Sequence, residues 1–297
     1  MKLVLKVDVD TYDGTRRGVP ALLDVLRRHE APATFLFSLG PDHTGRAIKR
    51  VFRPGFLSKV SRTSVLEHYG LKTLLYGTLL PGPDIGRRCA DILRGVAAAG
   101  HEVGVHCFDH ARWQDDLPRG GPALARREME RAVARFTEVF GYRPTVHGAA
   151  GWQMPDAALL AEADLGFTLA SDTRGGTPFL PVVGGRTLDV LQVPTTLPTL
   201  DEILGGDDEA GRDPIGWLLK LTAAAPGDHV YTLHAELEGR RLLADFDRLL
   251  AGWREQGYTF TTLSELAAGL DRTALPRRVV REGTVPGRSG NLAVAID

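Results

Sequence analysis

Cysteine is scarce here: Cys89 and Cys107 are the only two in 297 residues, so no disulfide framework is available. No stretch reaches the 18 uninterrupted apolar residues that signal a membrane-spanning helix. The first residues run straight into the apolar segment Leu3–Val9, without the pattern of a secretory leader. A large net charge is also missing. The 36 basic and 37 acidic residues nearly cancel, leaving −1, and no global field draws in nucleic acid. These absences together point to a cytosolic protein. The 43% hydrophobic content is ample for a sizeable core, and this length suits two average domains or one α/β barrel.

Strand-like and helix-like runs alternate along the chain. Strands are expected at Leu3–Val9, Ala33–Leu39, Val103–His106, Thr145–His147, Phe167–Ala170, Val190–Val193, His229–Leu233 and Tyr258–Thr261. Helices are expected at Gly18–His29, Asp84–Ala99, Leu124–Phe140, Pro214–Ala224 and Leu242–Gln256, with a last one starting at Ser264. Gly100 and Gly141 stand where left-handed helix stops belong. Asp213 and Pro214 fit a cap and first helical position. Repeated β-then-α implies a parallel sheet or barrel. From Asp271 onward the chain is rich in Arg and Gly, which reads as a loosely ordered tail.

Three clusters carry chemistry. In Val7-Asp8-Val9-Asp10-Thr11 two carboxylates stand two residues apart. In a strand they share a face, and unpaired carboxylates at an apolar strand end are costly. A metal ion with a base beside it would explain them, and so would one solvated turn carboxylate and one helix cap. His106-Cys107-Phe108-Asp109-His110 follows another apolar run. Histidines at i and i+4 share a helix face and can chelate one metal. Cys107, between them, reads as packing. Two histidines and one carboxylate make a three-ligand set with positions left for water and substrate. Zinc suits such a set best, with cobalt, manganese or iron as alternatives. Tyr231–Glu236 reads as a late strand ending in His234. All three clusters fall at C-terminal strand ends, where α/β folds place their chemistry.

A local absence marks one long connection. From His43 to Leu66 there is no Asp or Glu, while Arg46, Lys49, Arg50, Arg53, Lys59 and Arg62 alternate with Ile48, Val51, Phe52, Phe56, Leu57 and Val60. Long loops of this kind usually have a function. Basic charge beside an apolar face reads as binding to a membrane surface or lipid phosphate. The bland alternative is a solvated face packed on the barrel.

The Asp8-x-Asp10 strand end, Gly100–His106 with His110, and Leu233-His234 resemble, in order and spacing, the motifs of the polysaccharide deacetylases, the NodB-type carbohydrate esterases. The likeness is closest to the branch that deformylates a lipid-linked formamido-arabinose. It extends over Gly18–Pro20, Phe37–Asp42, Ala149–Trp152, Ser171–Gly175, Val193–Thr199 and His234–Gly239. The resemblance implies a deformed (β/α)₇ barrel over residues 1–270, with an inserted basic segment at about 43–80 and a tail at 271–297. It implies removal of an N-formyl group from an undecaprenyl-phosphate-linked aminosugar destined for lipid A. That substrate would be met peripherally at the cytoplasmic face of the inner membrane.

By the same resemblance Asp10, His106 and His110 hold a divalent metal, Asp8 is the general base and His234 the general acid. Asp172 would partner His234. Arg174 would partner the base, in place of the family's usual Arg-x-Pro-Tyr element. Ala150 and Gly151 would form a tight wall with a backbone oxyanion donor, Trp152 would stack on the sugar or else pack in the core, and Glu236 and Glu238 would contact its hydroxyls or amine or else be plain loop carboxylates. A metal-dependent N-deacetylase of another sugar or amide needs the same site and stays open as the alternative. A phosphoesterase would want extra carboxylates for a second metal, and no obvious pair is present.

Overall fold

The computed structural model describes residues 1–47, 73, 75–204, 206, 208–288 and 290–296. Its principal elements are β1 (Lys2–Val9), α1 (Val19–Arg28), β2 (Thr34–Ser38), α2 (Ala90–Ala98), β3 (Glu102–Cys107), α3 (His110–Phe140), β4 (Val146–His147), α4 (Asp156–Asp164) and β5 (Leu169–Ala170). They continue with β6 (Leu180–Val183), β7 (Arg186–Thr187), β8 (Leu191–Gln192), α5 (Pro214–Ala224), β9 (His229–His234), α6 (Leu243–Glu255), β10 (Thr259–Thr261), α7 (Leu263–Ala267), β11 (Arg277–Gly283) and β12 (Leu292–Ile296). None of the described helices is long and apolar enough to cross a membrane.

The main sheet is parallel and runs β9-β1-β2-β3-β4-β5-β8, with β10 against the first residues of β1. It curves into a half-barrel flanked by helices, the fold type the sequence leads one to expect. After β8 the chain returns to β9. The backbone N–H groups of Thr196 and Leu197 donate to the Val230 carbonyl at 3.1 and 3.2 Å, and the hydroxyls of Thr195 and Thr232 meet at 2.7 Å.

Period-two alternation sorts β1 into two rows. Leu3, Leu5, Val7 and Val9 pack outward into the core beneath α1, α2 and α6. Val4 points to the opposite face and joins Leu36, Val146, Leu169 and Leu191 in a second apolar cluster. Above Val4, the same row continues with Lys6 and then Asp8. One face of one strand thus passes from hydrocarbon to charge toward its C-terminal end. The register sets Asp8 beside His234 of β9 on one side and Leu36 of β2 on the other.

Two segments differ from expectation. Helix α3 begins at His110, fourteen residues before Leu124, and passes Pro118 and Pro122 by way of a kink at Gly121 (φ 65°, ψ −175°). Proline ordinarily breaks a helix, and here the kink absorbs both. The C-terminal segment, expected to be loose, contains a hairpin. β11 and β12 pair antiparallel, and Arg277 and Arg278 of β11 pair in parallel with β6. Arginine and glycine suggested disorder by composition, but Val280 and Leu292 are buried.

Candidate metal centre and active site

The β1 end delivers Asp10, and the chain turns immediately into the Gly14–Gly18 helical turn. His106 lies on β3, and His110 is the first residue of α3, capped by Asp109. The two histidines therefore straddle a strand-to-helix turn rather than sharing one helix face. Their rings still stack, with centroids 5.4 Å apart. His106 Nε2 lies 3.2 Å from Asp10 Oδ1, and His110 Nε2 lies 3.4 Å from Asp10 Oδ2.

These contacts fit a cation better than they fit protons. The His106 Nδ1 atom is 2.6 Å from the Gly148 carbonyl, which can only accept. Nδ1 therefore carries the ring proton, and Nε2 presents a bare lone pair to Asp10. Asp10 Oδ1 is buried and has no hydrogen-bond partner. Two acceptors facing each other call for a positive centre between them. Metal–ligand distances of about 2.0–2.2 Å separate neighbouring donors by roughly 3.0–3.5 Å, as these are. Burial would raise the Asp10 carboxyl, but the surrounding histidines, His110 foremost, hold the group far below its ordinary range, so it meets them as a carboxylate.

Asp8 is 3% exposed, and its Oδ1 is buried without a partner. Its other oxygen takes a hydrogen bond from Lys6 Nζ at 3.2 Å. Lys6 has no exposed surface at all. The sequence reading gave the cation beside Asp8 to Arg174. The structure puts Lys6 there, and Arg174 instead binds Glu202 at 2.5 Å and the Leu197 carbonyl at 3.1 Å. The i−2 spacing from Asp8 on a strand was the available signal for Lys6.

His234 is the register partner of Asp8. Its Nδ1 faces Asp201 Oδ1 at 3.7 Å, not Asp172. Burial lowers the His234 imidazole, but Asp201, Asp10, Asp8 and Glu238 together push it up to about 9. Asp172 lies in a separate buried cluster. It sits 2.9 Å from His147 Nδ1 and accepts hydrogen bonds from Gln192 Nε2 at 2.7 Å and the Ala149 N–H at 2.8 Å. Glu162 completes that cluster, 2.7 Å from His147. Sequence reasoning missed His147, Glu162, Gln192 and Asp201. Of these, His147 carried a readable signal: like His234 it ends a strand, and His106 stands one residue before the end of its own.

The substrate-facing expectations fare unevenly. Glu236 Oε1 accepts from the backbone N–H groups of Asp10 and Thr11 at 3.0 and 2.7 Å, clamping the β1 end. Glu238 accepts from the His234 N–H at 2.9 Å and the Tyr231 hydroxyl at 3.0 Å. Burial pushes Glu236 up to about 8, with Asp10 adding to it, and Glu238 up to about 7. Both carboxylates are engaged in holding backbone, not open to a sugar. Ala150 and Gly151 form a tight turn, with Gly151 at φ 60°. Trp152 follows at 1% exposure, so its ring offers no open stacking face. It is flanked instead by Lys6 Nζ at 5.0 Å and the guanidinium carbons of Arg174 and Arg288 at 5.3 and 4.5 Å. Cys107 is buried against Ser38 Oγ at 3.2 Å. Arg46 donates to the Gly77 carbonyl at 3.3 Å. Lys49, Arg50, Arg53, Lys59 and Arg62 lie outside the described residues.

A parallel half-barrel with an Asp-His-His centre at its C-terminal strand ends, flanked by a carboxylate and a third histidine, defines a metal-dependent hydrolase of the amidase type. The polysaccharide deacetylase family model matches residues 9–170, and the chain belongs to that family. A Shewanella sediminis protein described as a probable 4-deoxy-4-formamido-L-arabinose-phosphoundecaprenol deformylase is 38% identical, covering 89% of this chain and 85% of that one. A Wigglesworthia glossinidia brevipalpis protein of the same description is 30% identical, covering 94% and 97%. Among solved structures, a Mycobacterium smegmatis protein provisionally described as a polysaccharide deacetylase superposes with a TM-score of 0.64 at 19% identity, over 95% of both chains.

Proposed function

We propose that this chain removes the N-formyl group from 4-deoxy-4-formamido-L-arabinose carried on undecaprenyl phosphate. The observation that carries the reading is the convergence of Asp10, His106 and His110 with Asp8 and its register neighbour His234. The two curated relatives named for this deformylation cover most of the chain, which supports the choice of acyl group and sugar.

Asp10, His106 and His110 would hold the metal, with zinc the ion that two imidazoles and a carboxylate suit best. A divalent ion there would polarise the attacking water and the formyl oxygen. Asp8 takes the proton of that water. Lys6 keeps the Asp8 carboxylate turned and charge-compensated, so that its unpartnered Oδ1 is the oxygen left for the proton. His234 carries a proton and gives it to the departing nitrogen. With Nδ1 toward Asp201, Nε2 is the donating atom. Glu238 fixes the His234 backbone, and Glu236 fixes the Asp10 backbone, so both groups are held by elements of the sheet rather than by a free loop. A base and an acid arranged this way each contribute roughly 10²–10⁴-fold.

The lipid-linked substrate gives the basic segment around Arg46–Arg62 a role at the cytoplasmic face of the inner membrane, with cations drawn to lipid phosphate. The deciding experiment supplies purified enzyme with formyl and acetyl forms of the lipid-linked aminosugar and measures released amine, with and without chelator. Formate release that the chelator abolishes supports the reading. Turnover of the acetyl form alone would replace it with the N-deacetylase alternative.

A further inference from the structure

The C-terminal hairpin brings an arginine to the site that neither the metal centre nor the acid–base pair uses. The loop between β11 and β12 presses against the backbone of Glu202. Gly287 has φ +78°, and a Cβ there would lie 1.9 Å from the Glu202 carbonyl oxygen. Only glycine permits this approach. The next residue, Arg288, lays its guanidinium 4.5 Å from the centre of the Trp152 ring. Arg174 lies 5.3 Å from the centre of the same ring.

Of the two arginines, Arg288 is the less closely paired. Glu202 is already bound by Arg174 at 2.5 Å. Arg288 Nη1 reaches the same carboxylate oxygen only at 3.8 Å, beyond hydrogen-bond distance. Asp201, next in sequence, faces His234. Arg174 takes Glu202 and His234 faces Asp201, while Arg288 lowers the Asp201 carboxyl by its charge and holds no carboxylate at hydrogen-bond distance among the described residues. Arg288 retains 17% of its side-chain surface, against 9% for Arg174. Guanidinium groups bind phosphate through paired, charge-assisted hydrogen bonds.

We infer that Arg288 seats the phosphate that links the sugar to its lipid, and so selects substrates phosphorylated at the anomeric carbon. The inference rests on the deformylase reading above. In the proposed substrate the formamido group and the phosphate leave opposite ends of one pyranose ring, at C4 and C1. The inference seats the formyl group at the metal centre and the phosphate one ring length away, toward Asp201, which lies between His234 and the charge of Arg288. A lipid phosphodiester and the more highly charged sugar 1-phosphate both present anionic phosphoryl oxygens, so both serve as ligands of this seat.

The test uses metal-loaded enzyme and three formamido-arabinose substrates: a short-chain polyprenyl phosphate, the 1-phosphate, and the neutral methyl glycoside. For Arg288→Gln the preference for either phosphorylated substrate over the neutral one should fall roughly 10- to 100-fold, carried by KM rather than kcat. Arg288→Lys should restore part of that preference, since it keeps the charge and loses the fork. A preference unchanged in Arg288→Gln overturns the inference. So does a drop in kcat equal on all three substrates, which would place Arg288 behind Asp201 and His234. Loss confined to the polyprenyl substrate also overturns it, because the lipid chain would then be what Arg288 senses. Wild-type enzyme that deformylates none of the three fails the parent reading itself, a result distinct from any of these.

Discussion

Replacing Lys6 with methionine removes the ammonium that faces Asp8 and keeps most of the stem. The pair is wholly inside the barrel: Lys6 is 0% and Asp8 3% exposed, and Nζ lies 3.2 Å from Oδ2. At that distance two unit charges attract by about 5 kcal/mol if the effective dielectric is about 20. Desolvation of both groups offsets much of this, so the intact pair contributes little net stability. Breaking it is different, because the remaining carboxylate is buried with Oδ1 already unpartnered. Removing one partner of a buried pair typically costs about 3–5 kcal/mol. The Trp152 ring also loses a cation 5.0 Å from its centre, worth up to about 2 kcal/mol when desolvated. Lys6→Met is therefore expected to lose about 3–5 kcal/mol, or roughly 10 °C at about 2–4 °C per kcal/mol. The assay is thermal and urea unfolding of chelated protein, so that a bound cation does not stand in for the ammonium. Lys6→Met/Asp8→Asn should recover at least ~2 kcal/mol of the loss, since no buried charge is then orphaned. A single variant within ~1 kcal/mol of wild type, or strictly additive single and double losses, would refute the reasoning.

Further expectations follow from the same geometry. Asp8→Asn and His234→Ala should each lose at least ~10²-fold in turnover while circular dichroism and melting stay cooperative; near-wild-type turnover in either would remove its assigned role. Adding zinc to chelated enzyme at 100 times its Kd should stabilise the fold by about 2.7 kcal/mol, and His110→Ala should abolish that shift in differential scanning calorimetry. The buried His147 is pushed up to about 10 by Asp172 and Glu162 despite the lowering effect of burial. Its folded value lies above the unfolded 6.5, so its stabilisation is complete below about pH 6.5 and is lost as pH climbs toward 10. Glu162, also raised, acts in the same direction. Urea titrations at pH 7, 8 and 9 should show wild type losing up to ~1.4 kcal/mol per pH unit more than His147→Gln; parallel curves would mean that His147 is not charged in the folded state.

The barrel and the metal-ligand candidates were legible because their signals are local. β1, β3 and β9 are short apolar runs with an ionisable residue at the C-terminal end, and a parallel sheet aligns such ends by its register. Asp8, Asp10, His106, His110 and His234 could be picked out one motif at a time. Their partners could not. Lys6 reads as an exposed lysine in any window of sequence, and only the inward row Val4-Lys6-Asp8 reveals it as buried. Asp201 and Asp172 are equally plausible neighbours for His234 on paper. Which one faces it depends on how the chain after β8 returns to β9, a long-range path that no spacing rule encodes. Helix α3 was shortened on paper because Pro118 and Pro122 argue against helix locally, while the kink at Gly121 lets both remain.

Composition misled most at the C-terminal end, and the reason bears on function. Arg277–Gly283 carries three arginines among its seven residues, which reads as a solvated tail when the segment is taken alone. A strand needs only one covered face, and β11 gains it from β6 on one edge and β12 on the other. The pairing holds Gly287 against Glu202 and Arg288 against Trp152, more than fifty residues in sequence from His234. A segment far along the chain from the three sequence clusters thus packs on Glu202 and Trp152 and acts on Asp201, which faces His234. The family model ends at residue 170, before β6, β11 and β12 begin. The candidate metal ligands Asp10, His106 and His110 fall inside that stretch and Asp8 just before it, whereas Asp201, His234 and Arg288 all come after it. If Arg288 seats the phosphate as inferred above, discrimination between substrates that share an amide but differ in charge belongs to the later half of the chain.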